Sequence, residues 1–120
     1  MNIAITIPKA VDFDTWLKEC EDVRKKDMKL NYYLGSRGLP KKAKPGDKCY
    51  VIHDSFIRGY HIIEALLENK KNFVCETTEQ YWPKGNYIVR KGKFYKIEPI
   101  KMKGFQGFRY LEEDKIEKMS

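Results

Sequence analysis

An α+β domain is the fold class this sequence predicts: one N-terminal amphipathic helix packed against about six short strands that form a small closed or nearly closed mixed β-barrel. Three observations lead there. The chain has 120 residues, close to the commonest size for a single core. A single run of helical periodicity falls between residues 12 and 27. From Cys49 onward, short apolar runs alternate with Gly, Pro, Asn and Asp turn signals, as in small all-β assemblies. Residues 1–111 are read as one domain and residues 112–120 as a charged C-terminal tail.

Each element follows from local chemistry. Ile3, Ile5 and Ile7 alternate with Asn2, Ala4 and Thr6, which predicts a half-buried strand ending at Pro8. Asp12 offers a helix N-cap, and Asp14 sits favourably in the first turn. Phe13, Trp16, Leu17, Cys20 and Val23 then form one apolar stripe opposite Lys18, Glu19, Asp22 and Lys25. Trp16 belongs to that stripe and is expected in the core. Residues 35–48 read as a basic loop, in which Pro45-Gly46 makes a tight turn that launches the next strand. Tyr50–His53 and Phe56–Ile63 predict two strands joined at Asp54-Ser55, with Gly59 marking a bulge or a close backbone approach. Residues 64–71 fit either a continued strand or a helical turn. Phe73–Glu76 predicts another strand, and Tyr81–Asn86 a polar-aromatic loop. Tyr87–Arg90 and Phe94–Ile97 bracket Lys91-Gly92-Lys93, a predicted hairpin in which glycine supplies the positive φ. Gly104–Leu111 closes the fold, with Phe105 and Phe108 expected in the core.

Composition narrows the function. No run approaches the roughly 20 apolar residues of a membrane span. The start, Met1 to Pro8, lacks a positive n-region and a small-residue cleavage site, so a cytoplasmic protein is expected. Cys20, Cys49 and Cys75 are odd in number and widely spaced, and with only His53 and His61 beside them neither a disulfide framework nor a metal site is expected. No cofactor is expected, and a monomer is assumed. The net charge of +7 is unevenly placed: residues 35–110 hold sixteen Lys/Arg against seven Asp/Glu, a net of +9. Residues 1–34 are neutral, and residues 111–120 carry a net of −2. Such an asymmetry points to a polyanionic partner, nucleic acid foremost.

Catalytic constellations are weak by comparison. Cys49 and His53 share a strand parity, so a Cys/His pair is geometrically allowed, but nothing nearby marks an oxyanion hole. Gly35-Ser36-Arg37-Gly38 lacks the strand-to-helix context of a phosphate-binding glycine loop. Cations interleaved with aromatics are the stronger signal. Tyr32, Tyr33, Ser36 and Arg37 precede the basic loop; Tyr81, Trp82, Lys84, Asn86 and Arg90 surround the later one; Phe105, Gln106, Phe108, Arg109 and Tyr110 close the chain. Cations neutralise phosphates, aromatic faces stack on unpaired bases, and Asn or Gln amides read base edges. The residues expected to bind nucleic acid are Tyr33, Ser36, Arg37, Lys48, Arg58, Trp82, Lys84, Asn86, Arg90, Gln106 and Arg109.

Lys44-Pro45-Gly46-Asp47-Lys48-Cys49-Tyr50-Val51-Ile52, followed by Phe56–Ile63 with its internal Gly59, resembles the PUA-like superfamily in its ASCH and EVE branches. The resemblance covers most of residues 1–111. It implies a pseudobarrel that holds RNA or a modified nucleobase in a cleft beside the barrel. Some ASCH-type members are ribonucleases or other hydrolases, which implies an enzymatic alternative with Ser36, Arg37, Lys48 and Tyr50 near the cleft. The Gly-x-Lys-x-x-x-x-Arg motif usual after the first helix is absent; Leu34-Gly35-Ser36-Arg37-Gly38 stands in its place. That departure weakens catalysis more than binding. A small adaptor for an acidic protein is the remaining alternative, on the charge asymmetry alone.

Overall fold

The computed structural model describes residues 1–70, 72–74 and 81–119. Its elements run β1 (Ile3–Thr6), α1 (Phe13–Lys25), β2 (Lys29–Gly35), β3 (Lys48–His53), β4 (Phe56–Asn69), β5 (Phe73–Val74), β6 (Tyr81–Trp82), β7 (Gly85–Lys91), β8 (Tyr95–Lys101), β9 (Phe108–Tyr110) and α2 (Glu113–Met119). The class is α+β. A seven-stranded sheet follows the path β2-β7-β4-β3-β1-β9, with β8 added on β4. Among the described residues its ends, β2 and β9, are not paired with each other, so strand hydrogen bonds do not close it into a barrel.

β1 runs parallel to β3 and antiparallel to β9, which makes it an interior strand. Ile3, Ala4 and Ile5 are all fully buried, so the strand is covered on both faces rather than one. Its two faces serve two cores. Ile3 and Ile5 join Cys49, Val51, Ile63, Ile88 and Leu34 under α1, which contributes Trp16 and Cys20. Ala4 joins Tyr50, Ile52, Ile57 and Leu111 on the other side, where Ile116 of α2 packs. Each fully buried isoleucine contributes roughly 1.5–3 kcal/mol, so these alternating side chains dominate the choice of register.

α1 begins where expected. Asp12 is the N-cap, and its Oδ2 accepts from the Thr15 amide at 3.1 Å and the Thr15 hydroxyl at 2.8 Å. The hydroxyl bond is the main reason its carboxyl is held below the ordinary aspartate value. Pro45 and Gly46 occupy the two central positions of a turn closed by the Asp47 amide donating to Lys44 O at 3.1 Å; Gly46 has φ +97°. This is type II geometry, and it sets the start of β3. Asp54 and Ser55 both have positive φ, 50° and 65°, as a two-residue hairpin of type I′ requires.

Gly59 marks both a bulge and a close approach. The register of β4 against β3 and β8 shifts beside it. A Cβ there would lie 2.2 Å from Tyr95 O and 2.6 Å from the Phe94 ring. Residues 64–69 continue β4 as strand, because β7 pairs with them from Ile63 to Asn69.

The predicted hairpin at Lys91–Lys93 does not form. β7 and β8 both run antiparallel to β4, β7 along its second half and β8 along its first, with an interruption at Gly92–Phe94. Gly92 has no positive φ; it is glycine because a Cβ would lie 2.7 Å from the Arg24 amide nitrogen at the end of α1. Close packing, not turn conformation, explains the residue. The predicted loop at Tyr81–Asn86 is also mostly strand: Tyr81 and Trp82 pair with Val74 and Phe73, and Gly85 opens β7. β2, antiparallel to β7, adds a strand beyond the six expected. Cys75 and Glu76, expected at a strand end, lie outside the described residues.

Candidate nucleic-acid interface

Much of the predicted constellation converges where β2 leaves the sheet. Tyr32 points inward, between Leu30 and Leu34, while Tyr33 points outward. Gly35, at φ +65°, turns the chain, and Ser36 and Arg37 stand exposed beyond it. Arg37 Nη2 donates to Gln106 Oε1 at 3.3 Å, joining this turn to the loop before β9. Asn86 Nδ2 donates to Arg37 O at 2.6 Å, and the Tyr33 hydroxyl donates to Lys84 O at 2.8 Å. Arg109 lies over the Phe105 ring at 4.6 Å. Tyr33, Ser36, Arg37, Lys84, Asn86, Gln106 and Arg109 are thus brought to one end of the sheet.

Two clefts of about 410 Å³ flank the Gly35–Arg37 turn. One is polar, with Ser36, Asn69, Lys84 and Asn86 in its walls. The other is amphipathic: Thr6, Pro8, Tyr32, Arg37, Phe105 and Gln106 line it. Its far wall is fixed by two glycines. A Cβ on Gly104 would meet the Thr6 methyl at 2.7 Å, and Gly107 adopts φ +74°. The Phe105 amide donates to Thr6 Oγ1 at 3.1 Å, which pins the loop to the end of β1.

The Tyr32 hydroxyl reaches only 3.5 Å contacts with Thr6 O and Gly107 O. Bonds that long are weak, so its proton is available to a group entering the cleft. Burial pushes this phenol above its ordinary value, while Arg90 and Arg37 act against that shift. Thr6, Tyr32 and Phe105 were not among the predicted binding residues. The inward parity of Tyr32 and the paired glycines around Phe105 and Gln106 are the sequence signals that mark this wall.

Other predicted residues lie elsewhere. Lys48 lines a separate cleft with Tyr60 and pairs with Glu113. Arg58 is half-buried between the Phe13 and Phe56 rings, and its Nε donates to His53 O at 3.3 Å. Trp82 has its backbone in β6; its side chain lies outside the described residues. Arg90 is in the core, only 4% exposed, and its buried Nε and Nη1 have no hydrogen-bond partner among the described residues. Its neighbours include Cys49, Cys20 and Tyr32, and burial lowers its pKa. It adds positive potential behind Tyr32 but is not a surface phosphate contact.

Cys49 and His53 do not meet. His53 stacks on Phe13 at 5.3 Å, and its Nε2 bonds Val11 O at 2.8 Å. Among the described residues, Cys20 is the cysteine that meets a histidine: its Sγ lies 3.8 Å from His61 Nε2. Burial raises the Cys20 thiol to about 11 and drops His61 to about 3, with Arg90 reinforcing the histidine shift. Both groups are therefore neutral at pH 7, the opposite of an activated thiolate–imidazolium pair. Among the described residues no cluster of three or more His, Cys, Asp or Glu is placed to hold a metal ion, and no helix is long and apolar enough to cross a membrane. No protein-family model, no curated protein and no solved structure matches this chain.

Proposed function

We propose that this chain is a nucleic-acid-binding module of PUA-like architecture, whose cleft between the end of β1, the β2 turn and the Gly104–Gly107 loop receives a base, plain or modified, of an RNA strand. The observation that carries the reading is the convergence of Arg37, Gln106, Tyr32 and Phe105 on one cleft of about 410 Å³. That volume lies within the range of small-ligand sites. Tyr32 and Phe105 offer aromatic surface. The Gln106 amide can both donate and accept at a base edge, and Arg37 supplies charge-assisted donors. Lys84 and Arg109 stand outside this cleft on the same end of the sheet, where they meet the phosphates of a strand entering it. The +9 balance of residues 35–110 supplies the long-range attraction.

A titration of short single-stranded RNA and DNA at several salt concentrations tests the reading. RNA is expected to bind with an affinity that falls as salt rises. Arg37→Ala should weaken binding about tenfold and reduce the salt slope by about one. Gln106→Ala should weaken binding while leaving that slope unchanged. If no oligonucleotide, plain or base-modified, binds in a salt-dependent manner, the reading falls.

A further inference from the structure

A cleft of about 600 Å³, larger than the one just described, opens on the α2 side of the sheet. Lys48 and Tyr50 of β3, Tyr60 of β4, Glu98 and Lys101 of β8, and Ile116 of α2 are among the residues that line it. An aromatic ladder begins in its wall and continues beyond it to Tyr95. Tyr50 meets Tyr60 edge-on at 5.6 Å, and Tyr60 stacks on Tyr95 at 4.9 Å with only 10° between the rings. An ammonium stands over each stacked ring: Lys48 Nζ is 4.7 Å from the Tyr60 centroid, and Lys93 Nζ is 4.8 Å from that of Tyr95. Tyr60 and Tyr95 are half-buried, so both rings keep solvent-facing surface. A solvated sheet face needs polar side chains for solubility; it does not need stacked phenols capped by lysines.

The segment that covers one end of this ladder is acidic. α2 contains Glu113, Asp114 and Glu117 against Lys115 and Lys118. The Glu113 carboxylate accepts a hydrogen bond from Lys48 Nζ, and Ile116 packs on the cluster that includes Tyr50. α2 is only seven residues long, and Glu113 is 57% exposed. Exposed ion pairs of this kind are weak, and so short a helix has little stability of its own. A short, negatively charged segment therefore lies on a face where stacked aromatics and cations alternate.

We propose that the Tyr60–Tyr95 face is a second binding site, a stacking platform for single-stranded nucleic acid, and that α2 occupies it in cis as an acidic competitor. Bases replace the Lys48 and Lys93 ammonium groups over Tyr60 and Tyr95, those two lysines and Lys101 meet the phosphates, and Glu113 holds Lys48 until a strand displaces it. Stacking on exposed aromatic rings tolerates any base, so this site adds affinity without sequence preference. The proposal rests on the nucleic-acid reading above, but not on the Arg37 cleft.

The test compares four proteins in binding a short labelled oligouridylate by fluorescence anisotropy: the wild type, Glu113→Gln, Glu113→Gln/Ile116→Ser, and that double variant with Tyr95→Ala. Glu113→Gln alone should tighten binding measurably, and the double variant about fivefold or more, since an unmasked stacking site is worth at least that factor. Adding Tyr95→Ala should remove the gain. Thermal melts check that each protein folds, and Glu113→Gln, a surface isostere, keeps the test valid if the double variant does not. Unchanged affinity in the folded variants overturns the proposal, as does a gain that survives Tyr95→Ala. A gain seen with polyglutamate but not with oligouridylate also overturns it, in favour of an acidic protein partner. If the wild type fails to bind but the double variant binds through Tyr95, this site stands and the Arg37 cleft falls. If neither binds, both fall.

Discussion

Acidification from pH 7 to pH 5 should destabilise this protein through one residue, His61. Its side chain is fully buried between Trp16 and Phe94, with Nδ1 on Lys93 O at 3.0 Å and Nε2 facing Cys20. Burial, reinforced by the Arg90 guanidinium, lowers its pKa from 6.5 to about 3. The native state therefore keeps the ring neutral, while the unfolded chain takes up a proton below about pH 6.5. Stability is intact above the unfolded value and declines as the pH falls toward the folded one. Linkage gives a loss of about 2 kcal/mol between pH 7 and pH 5 from this residue alone. For a domain of this size that corresponds to roughly 8 °C in Tm. The window lies above the range where carboxylates titrate, and Asp12, Glu21 and Asp47 are held lower still. Thermal melts at half-unit pH steps should show the decline in the wild type and a much flatter profile in His61→Gln. The comparison removes any contribution shared by both proteins. Equal slopes in the two proteins would refute the placement of His61 as a neutral core residue.

Three further outcomes follow from packing. Gly59→Ala places a methyl 2.2 Å from the Tyr95 carbonyl oxygen, a backbone atom that no rotamer change relieves; a loss of about 3 kcal/mol or more is expected in urea unfolding. Arg90→Met removes a buried guanidinium with two nitrogens unpaired among the described residues while keeping similar volume; unfolding should become harder by roughly 1–3 kcal/mol, and a clear destabilisation would mean that the guanidinium has a stabilising partner in solution. Gly92→Ala drives a Cβ into the last turn of α1, 2.7 Å from the Arg24 amide nitrogen. It should lower Tm and loosen the helix end, read as faster amide exchange at Arg24 and Lys25.

The sequence carried the local structure well. The helix, its Asp12 cap, the Pro45-Gly46 turn, the Asp54-Ser55 hairpin and the Gly59 bulge each rest on a few adjacent residues whose conformational preferences are strong. What it could not carry was set by distant partners. Gly92 looks like a turn residue until α1 is placed beside it, and Ala4 looks solvent-facing until a second core forms behind β1. Arg90 illustrates the same limit at the candidate site: its charge suggested a surface contact, whereas inward parity with Ile88 places it in the core. Lys48 and Arg58 were grouped with Arg37 by composition, and only topology separates them. Tyr32 and Phe105 gain their role from Thr6, more than twenty residues away from either.

The pairing of β1 with both β3 and β9 bears on how the chain acquires its fold. Ile3 must find Cys49 on one side and Tyr110 on the other. The first strand waits for the last, so the loop that closes this contact spans nearly the whole chain, and such topologies fold slowly. Thr6 and Gly107, opposite walls of the Arg37 cleft, are joined by this same late contact. A nascent chain emerging residue by residue would already hold α1 and the β3–β4 hairpin while still lacking the Arg37 cleft. The cleft is then completed in one step, with the docking of β9.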